Sequence, residues 1–169
     1  MYKLQDYDAS LADSVVGIAV KYDGFSGVIA PTNNAGAHWG PIYRNIPDGN
    51  NGREWTNNFL AQYPSDANNY AFNLCDKYAF ADGRTNGYLG SNSEWKLLVA
   101  RKDVLDFAMT AIGGDAFSET SWVAGESSAN ASDYGSYLTW STGSFANQSK
   151  TARNYASRTL IELPEGLEW

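Results

Sequence analysis

The last third of the chain, from Phe117 to Leu163, narrows the fold more than any other part. Short strand-like pieces recur there at turn-bounded intervals, over residues 121–125, 134–140, 144–147 and 156–163, with Thr142-Gly143 as a turn between two of them. Ten of the chain's sixteen Ser lie between Ser118 and Ser157. Successive strand side chains point to opposite faces. Leu138 and Trp140 therefore share one face, which reads as core, while Tyr137, Thr139 and Ser141 share the other. A second β region comes early. Apolar runs over 15–20 and 28–30 flank Asp23-Gly24, a hairpin turn signal.

Between these β regions the pattern is loop and helix. Residues 32–53 are rich in Asn, Gly and Pro and read as a loop, packed down through His38, Trp39, Tyr43 and Ile46. The spacing predicts helices over 54–63, stopped before Pro64, and over 67–80, with Tyr70, Leu74 and Tyr78 four apart. Ser91-x-x-Glu94 is a capping box that opens a helix through Trp95, Leu97 and Leu98. The pattern continues over 102–112 until Gly113-Gly114. The expected architecture is α+β in one domain spanning 1–169. It has an N-terminal hairpin, two or three helices, then a small C-terminal antiparallel sheet with long loops, and LPEGLEW reads as an end segment.

Charge and composition exclude several function classes. The net charge is −7, with 12 Lys and Arg against 19 Asp and Glu, which argues against a nucleic-acid partner. One Cys cannot build a disulfide framework, and one Cys with one His cannot build a zinc site. No apolar run approaches the roughly 20 residues of a membrane span. The first residues, MYKLQDYDAS, carry no hydrophobic signal region. No cofactor or metal is expected.

Catalytic motifs are sparse. His38 would have to serve any Ser-His-Asp or Cys-His enzyme, and there is no G-x-S-x-G elbow. Cys75 follows Leu74 on an apolar-patterned helix and reads as a buried thiol. Asp103 and Asp106 share a helix with Lys102 and Arg101 beside them, which is an ordinary solvated face. Phosphate-cradling glycine motifs are absent, and Asp48-Gly-Asn50-Asn51-Gly52 lacks the ligand order of a calcium loop. Asn130-Ala-Ser132 and Asn147-Gln-Ser149 match the glycosylation sequon. What stands out is the palette of Ser, Asn, Gly and Tyr near the C-terminus. On a rigid scaffold, Tyr supplies contact area and Ser and Asn supply adaptable hydrogen bonds.

The order of local strings resembles a bacterial and phage C-type-lectin-like domain family over residues 15 to 163. In CDKYAFADGRTNGYLGSNSEWKLLVARKDVL, the residues Cys75, Tyr78, Gly87, Tyr88, Leu89, Ser91, Glu94, Leu97 and Leu98 fit that family's helix-loop-helix. Gly90 replaces its usual Pro, and Trp95 its usual Leu. SWVAGESS fits a following strand through Trp122 and Glu126. YLTWSTGSFANQSKTARNYASR fits the ending through Leu138, Trp140, Gly143, Lys150, Tyr155 and Arg158. The same fold occurs in formylglycine-generating enzymes, which use a cysteine pair that this chain lacks. The sugar triplets E-P-N and Q-P-D of calcium lectins are also absent.

The resemblance to variable proteins of diversity-generating retroelements fits better. Adenine-directed mutagenesis there diversifies Asn codons, giving Ser, Thr, Tyr, Ala, Asp, Gly and Arg among others, but not Trp, Gln, Lys or Glu. The candidate variable region is 118–158. Its presumed outward positions are Ser127, Asn130, Tyr134, Tyr137, Thr139, Ser141, Ser144, Asn147, Arg153 and Asn154, all of permitted types. The presumed scaffold includes Trp122, Glu126, Trp140 and Lys150, which are not. The resemblance implies a non-enzymatic ligand-recognition protein with Tyr134 and Tyr137 as anchors on one face. Its partner would be a protein or glycan on a cell surface, met through display in several copies or as a homo-oligomer. Its place would be extracellular, on a cell surface or on a virion. A fixed adhesin or glycan-binding module of the same fold is the alternative, and a hydrolase using His38 is a third reading.

Overall fold

The computed structural model describes residues 14–64, 69–152 and 154–163. Four helices surround one seven-stranded sheet. The strands are β1 (Ile18–Tyr22), β2 (Phe25–Ala37), β3 (Tyr88–Leu89), β4 (Thr120–Glu126), β5 (Tyr134–Thr139), β6 (Ser144–Ser149) and β7 (Tyr155–Glu162). The helices are α1 (Gly52–Gln62), α2 (Ala71–Lys77), α3 (Asn92–Val99) and α4 (Lys102–Ala111). The sheet order is β1-β2-β7-β4-β5-β6, with β3 pairing β7 to the side.

Local chemistry accounts for several element ends. Asp23-Gly24 turns β1 into β2 with Tyr22 opposite Phe25, and Gly24 takes φ 86. Asn51 caps α1 by accepting from the Glu54 amide at 2.9 Å. Ser91 and Glu94 form the expected capping box of α3. Gly113 ends α4 in the left-handed region, at φ 70.

Several expectations need correction. The segment read as a loop from residue 32 is strand as far as Ala37, because β2 runs thirteen residues against β7. The helix expected over 67–80 is α2, seven residues long, and Ala67 and Asn68 lie outside the described residues. It stops because Tyr78 turns to ψ 123. Among the described residues there are four helices, not two or three, and β3 is an added strand. The C-terminal strands do not form a small sheet of their own. β7 joins them to the N-terminal hairpin, through antiparallel pairing with β2 and a parallel contact of Ser121 with Ala156. The end segment from 164 lies outside the described residues.

Both faces of the sheet are covered. On one, α3 and α4 bring Trp95, Leu98, Leu105 and Met109 against Ile29, Val123, Leu138 and Leu160. On the other, α1 and α2 bring Trp55, Phe59, Phe72 and Cys75 against Trp39, Trp122 and Ala124. Among the described residues, no helix is long and apolar enough to cross a membrane.

Glu94 joins these layers. Its buried carboxylate accepts from the Gly52 amide at 2.9 Å, the Ser91 amide and hydroxyl at 2.7 Å each, and the Tyr88 hydroxyl at 3.3 Å. Glu94→Ala would strip a cap and leave buried donors unpaired. A loss of about 3 kcal/mol of unfolding free energy is expected by urea titration, with Glu94→Gln losing less.

Candidate functional site

The hairpin of β5 and β6 forms the open end of the sheet. Residues directly opposite in an antiparallel pair share a face. The register sets Gly135 against Gln148, Tyr137 against Ala146 and Thr139 against Ser144 on one face. Tyr134 with Ser149, Ser136 with Asn147 and Leu138 with Phe145 occupy the other. The parity read for Tyr137, Thr139 and Leu138 therefore holds in space.

Tyr134 and Tyr137 do not share a face, which corrects the expectation of paired Tyr anchors. They stand three positions apart, an odd offset, so the pleat turns them to opposite faces. Tyr137 is half-buried, its ring 6.4 Å from Trp122 and 5.3 Å from Tyr155, centroid to centroid. Beside it Thr139 is half-buried, and Ser144 and Ala146 are exposed. Tyr134, 39% exposed, lies on the α3 side of the sheet with Asn147. There Asn92 Nδ2 donates to Ser136 Oγ at 3.3 Å, and Ser136 Oγ donates to Asn147 Oδ1 at 2.9 Å.

The other sequence-predicted residues surround the hairpin. Ser127 and Asn130 are half-buried in the turn before β5. Asn130 uses its side chain locally, donating to Asp133 Oδ2 at 3.2 Å and accepting from Ser132 Oγ at 3.0 Å. Ser141 is exposed in the β5–β6 turn, and Asn154 is exposed ahead of β7. Arg153 lies outside the described residues. The structure thus gathers Tyr137, Thr139 and Ser144 on one face and sets Tyr134 and Asn147 on its reverse. Ala146 and Gln148 belong with the first set; the period-two pattern from Ser144 could have found them. Tyr43, expected to pack down with its loop, is open to solvent instead. It is 73% exposed at φ 60, its amide donating to Asp133 Oδ1 at 3.2 Å.

Four residues read as scaffold are interior. Trp122 and Trp140 are buried, donating from Nε1 to the Ala37 carbonyl and to Ser121 Oγ. Lys150 is fully buried just after β6. Its Nζ donates to Glu126 Oε1 at 2.5 Å and to the Arg44 carbonyl at 2.7 Å, and lies 4.7 Å from the centroid of the Trp39 ring. Glu126 Oε1 also accepts from the Ile46 amide at 3.2 Å. Burial pushes the Glu126 carboxyl up and the Lys150 ammonium down, and the pairing opposes both shifts.

The remaining candidates stand apart from this hairpin. His38 is half-buried, and its carbonyl accepts from the Ala71 amide at 2.9 Å at the start of α2. Cys75 is fully buried, and burial pushes its thiol up to about 11, against hydrogen bonds with Thr159, Ser157 and Asn34. That shift suppresses the thiolate and its reactivity. Among the described residues, no three His, Cys, Asp or Glu side chains gather as a metal site would need. The chain has no charged residue from Tyr134 to Ser149. Such a surface offers hydroxyls, amides and a ring. No family model, curated protein or solved structure matches the chain.

The buried pair gives a direct test. Lys150→Met strands a carboxylate, and a loss of about 3 to 5 kcal/mol is expected at neutral pH. The stranded Glu126 carboxyl has a raised folded-state pKa. Its penalty should therefore shrink as pH falls toward the ordinary carboxylate range and grow as pH rises. Adding Glu126→Leu should recover most of the loss in a denaturant titration.

Proposed function

We propose that this chain is a ligand-recognition domain of the C-type-lectin-like kind, and within that kind a variable receptor-binding protein diversified by a retroelement. One observation carries the reading. The four positions read as invariant scaffold, Trp122, Glu126, Trp140 and Lys150, have buried side chains. None of the nine described candidate variable positions is buried. A chain under codon-directed variation needs that partition, because replacements in a packed core cost several kcal/mol and replacements at the surface cost little.

The mechanism is contact without chemistry. Tyr137 offers a ring edge already braced by Trp122 and Tyr155, so little side-chain freedom is lost on binding. Thr139 and Ser144 rim it with hydroxyls. Affinity comes from aromatic burial and shape fit, and display in several copies multiplies a weak single contact. The partner is a protein or glycan exposed on a cell surface, which sets the site of action outside the cell or on a virion.

Two measurements test the reading together. Single replacements of Ser141, Ser144 and Asn154 by Tyr or Asp should each shift unfolding free energy by no more than about 0.5 kcal/mol. Trp122→Ala or Trp140→Ala should cost about 3 to 5 kcal/mol. Unfolding of the first group would sink the site assignment. The coding locus should hold a reverse transcriptase and an adenine-rich template repeat of the region for 118–158. A tolerant surface without that template would instead identify a fixed adhesin or glycan-binding module.

A further inference from the structure

Among the described residues, the main strand path ends in β1 and β6, and these two end strands are built differently. β1 at one end is five residues long, carries Lys21, and follows Gly17 at φ 152. Charge and irregular backbone are the usual protections of a free edge. β6 at the other end is Ser-Phe-Ala-Asn-Gln-Ser, without proline or charge. All six of its residues pair with β5 in unbroken register. Among the described residues, no strand pairs its outer side. Its residues are exposed or half-buried throughout. An edge of this kind is a template for another strand.

We propose that the outer edge of β6 pairs antiparallel with β6 of a second copy of this chain, about a two-fold axis through Ala146. The occupant follows from charge and geometry. Each copy carries −7, yet Tyr134 to Ser149 holds no charged residue, so the hairpins meet with less repulsion than the average surface would give. A two-fold axis perpendicular to the sheet keeps every side chain on its own face, so each residue meets one of the same parity. With Ala146 on the axis, the smallest side chain of the strand meets itself. Phe145 then lies opposite Asn147, and Ser144 opposite Gln148, and no like charges oppose each other. The Tyr137, Thr139 and Ser144 faces of both copies then lie side by side in one continuous sheet. The pairing stands independently of the recognition reading, and its test is a mass.

Sedimentation equilibrium of the chain at roughly 100 μM should give twice the 18.5 kDa monomer mass. Ala146→Lys and Ala146→Glu each place like charges on the axis and should sediment as monomers with unchanged circular dichroism. An equimolar mixture of the two variants should regain the doubled mass, because opposite charges then face each other. A monomeric wild type, a dimer that either variant retains, or variants whose mixture stays monomeric would each overturn the proposal.

Discussion

A positive charge sealed inside the molecule fixes the end of the sheet that carries the β5–β6 hairpin. Moving an ammonium out of water costs several kcal/mol even after relaxation, so its surroundings must satisfy it fully. Lys150 Nζ draws together the end of β4 through Glu126 and the segment before α1 through the Arg44 carbonyl. Trp39 closes over it, and the same ring lies across Gly135, where a Cβ would meet Trp39 Cγ at 2.4 Å. Only glycine admits that approach. Three segments distant in sequence are thus held by one cation and one indole.

A second buried cation does the same work along β7. The β2–β7 register breaks between Ile29 and Asn33. The carbonyls of Ala30 and Pro31 fall in that break, and both accept from Arg158 Nη1, at 3.1 and 2.9 Å. Arg158 Nη2 takes the Asp115 carbonyl beyond α4 at 2.9 Å, and the guanidinium lies 4.6 Å from the centroid of the Phe117 ring. Burial lowers this guanidinium to about 10, still protonated at neutral pH. Its fork meets carbonyls that the ladder leaves unpaired, which an apolar side chain could not do. The irregularity of β2 and the charge on β7 are one feature.

Local signals made the helices and turns legible. Asp23-Gly24, the Ser91 capping box and Gly113 each act within a few residues, and each element forms where its signal stands. The sheet was less legible because its central pairing joins β2 to β7, more than a hundred residues apart. Nothing near residues 32–37 announces strand; Asn33 and Asn34 become strand because Arg158 and Ser157 lie opposite them. Asn34 Nδ2 then spends itself on Ser157 Oγ and Thr159 Oγ1, a use no propensity scale contains. Period-two alternation did place Tyr137 and Thr139 on one face. The alternation does not reach Ser141, which lies in the turn beyond the end of β5 at Thr139, and it sets Tyr134 opposite to Tyr137 whatever their shared residue type. Tyr43 had no signal, since its exposure depends on a left-handed backbone pinned by Asp133.

The β5–β6 hairpin and its approaches form one exposed end of the sheet, and its positions are not equivalent. Ser141 and Ser144 touch little that the fold needs, so their chemistry can change freely. Tyr137 differs. Its ring belongs to the cluster of Trp122 and Tyr155, whose own centroids are 4.7 Å apart, so it both faces outward and closes the core behind it. A small residue there would open a gap beside Trp122 and forfeit the packing of two rings. Asn130 is constrained differently, because its amide holds the turn that positions Asp133 under Tyr43. Freedom to vary therefore falls off from the β5–β6 turn toward Lys150, following the hydrogen bonds and ring contacts and not the sequence. A surface graded in this way has a rigid centre and a margin that tolerates replacement.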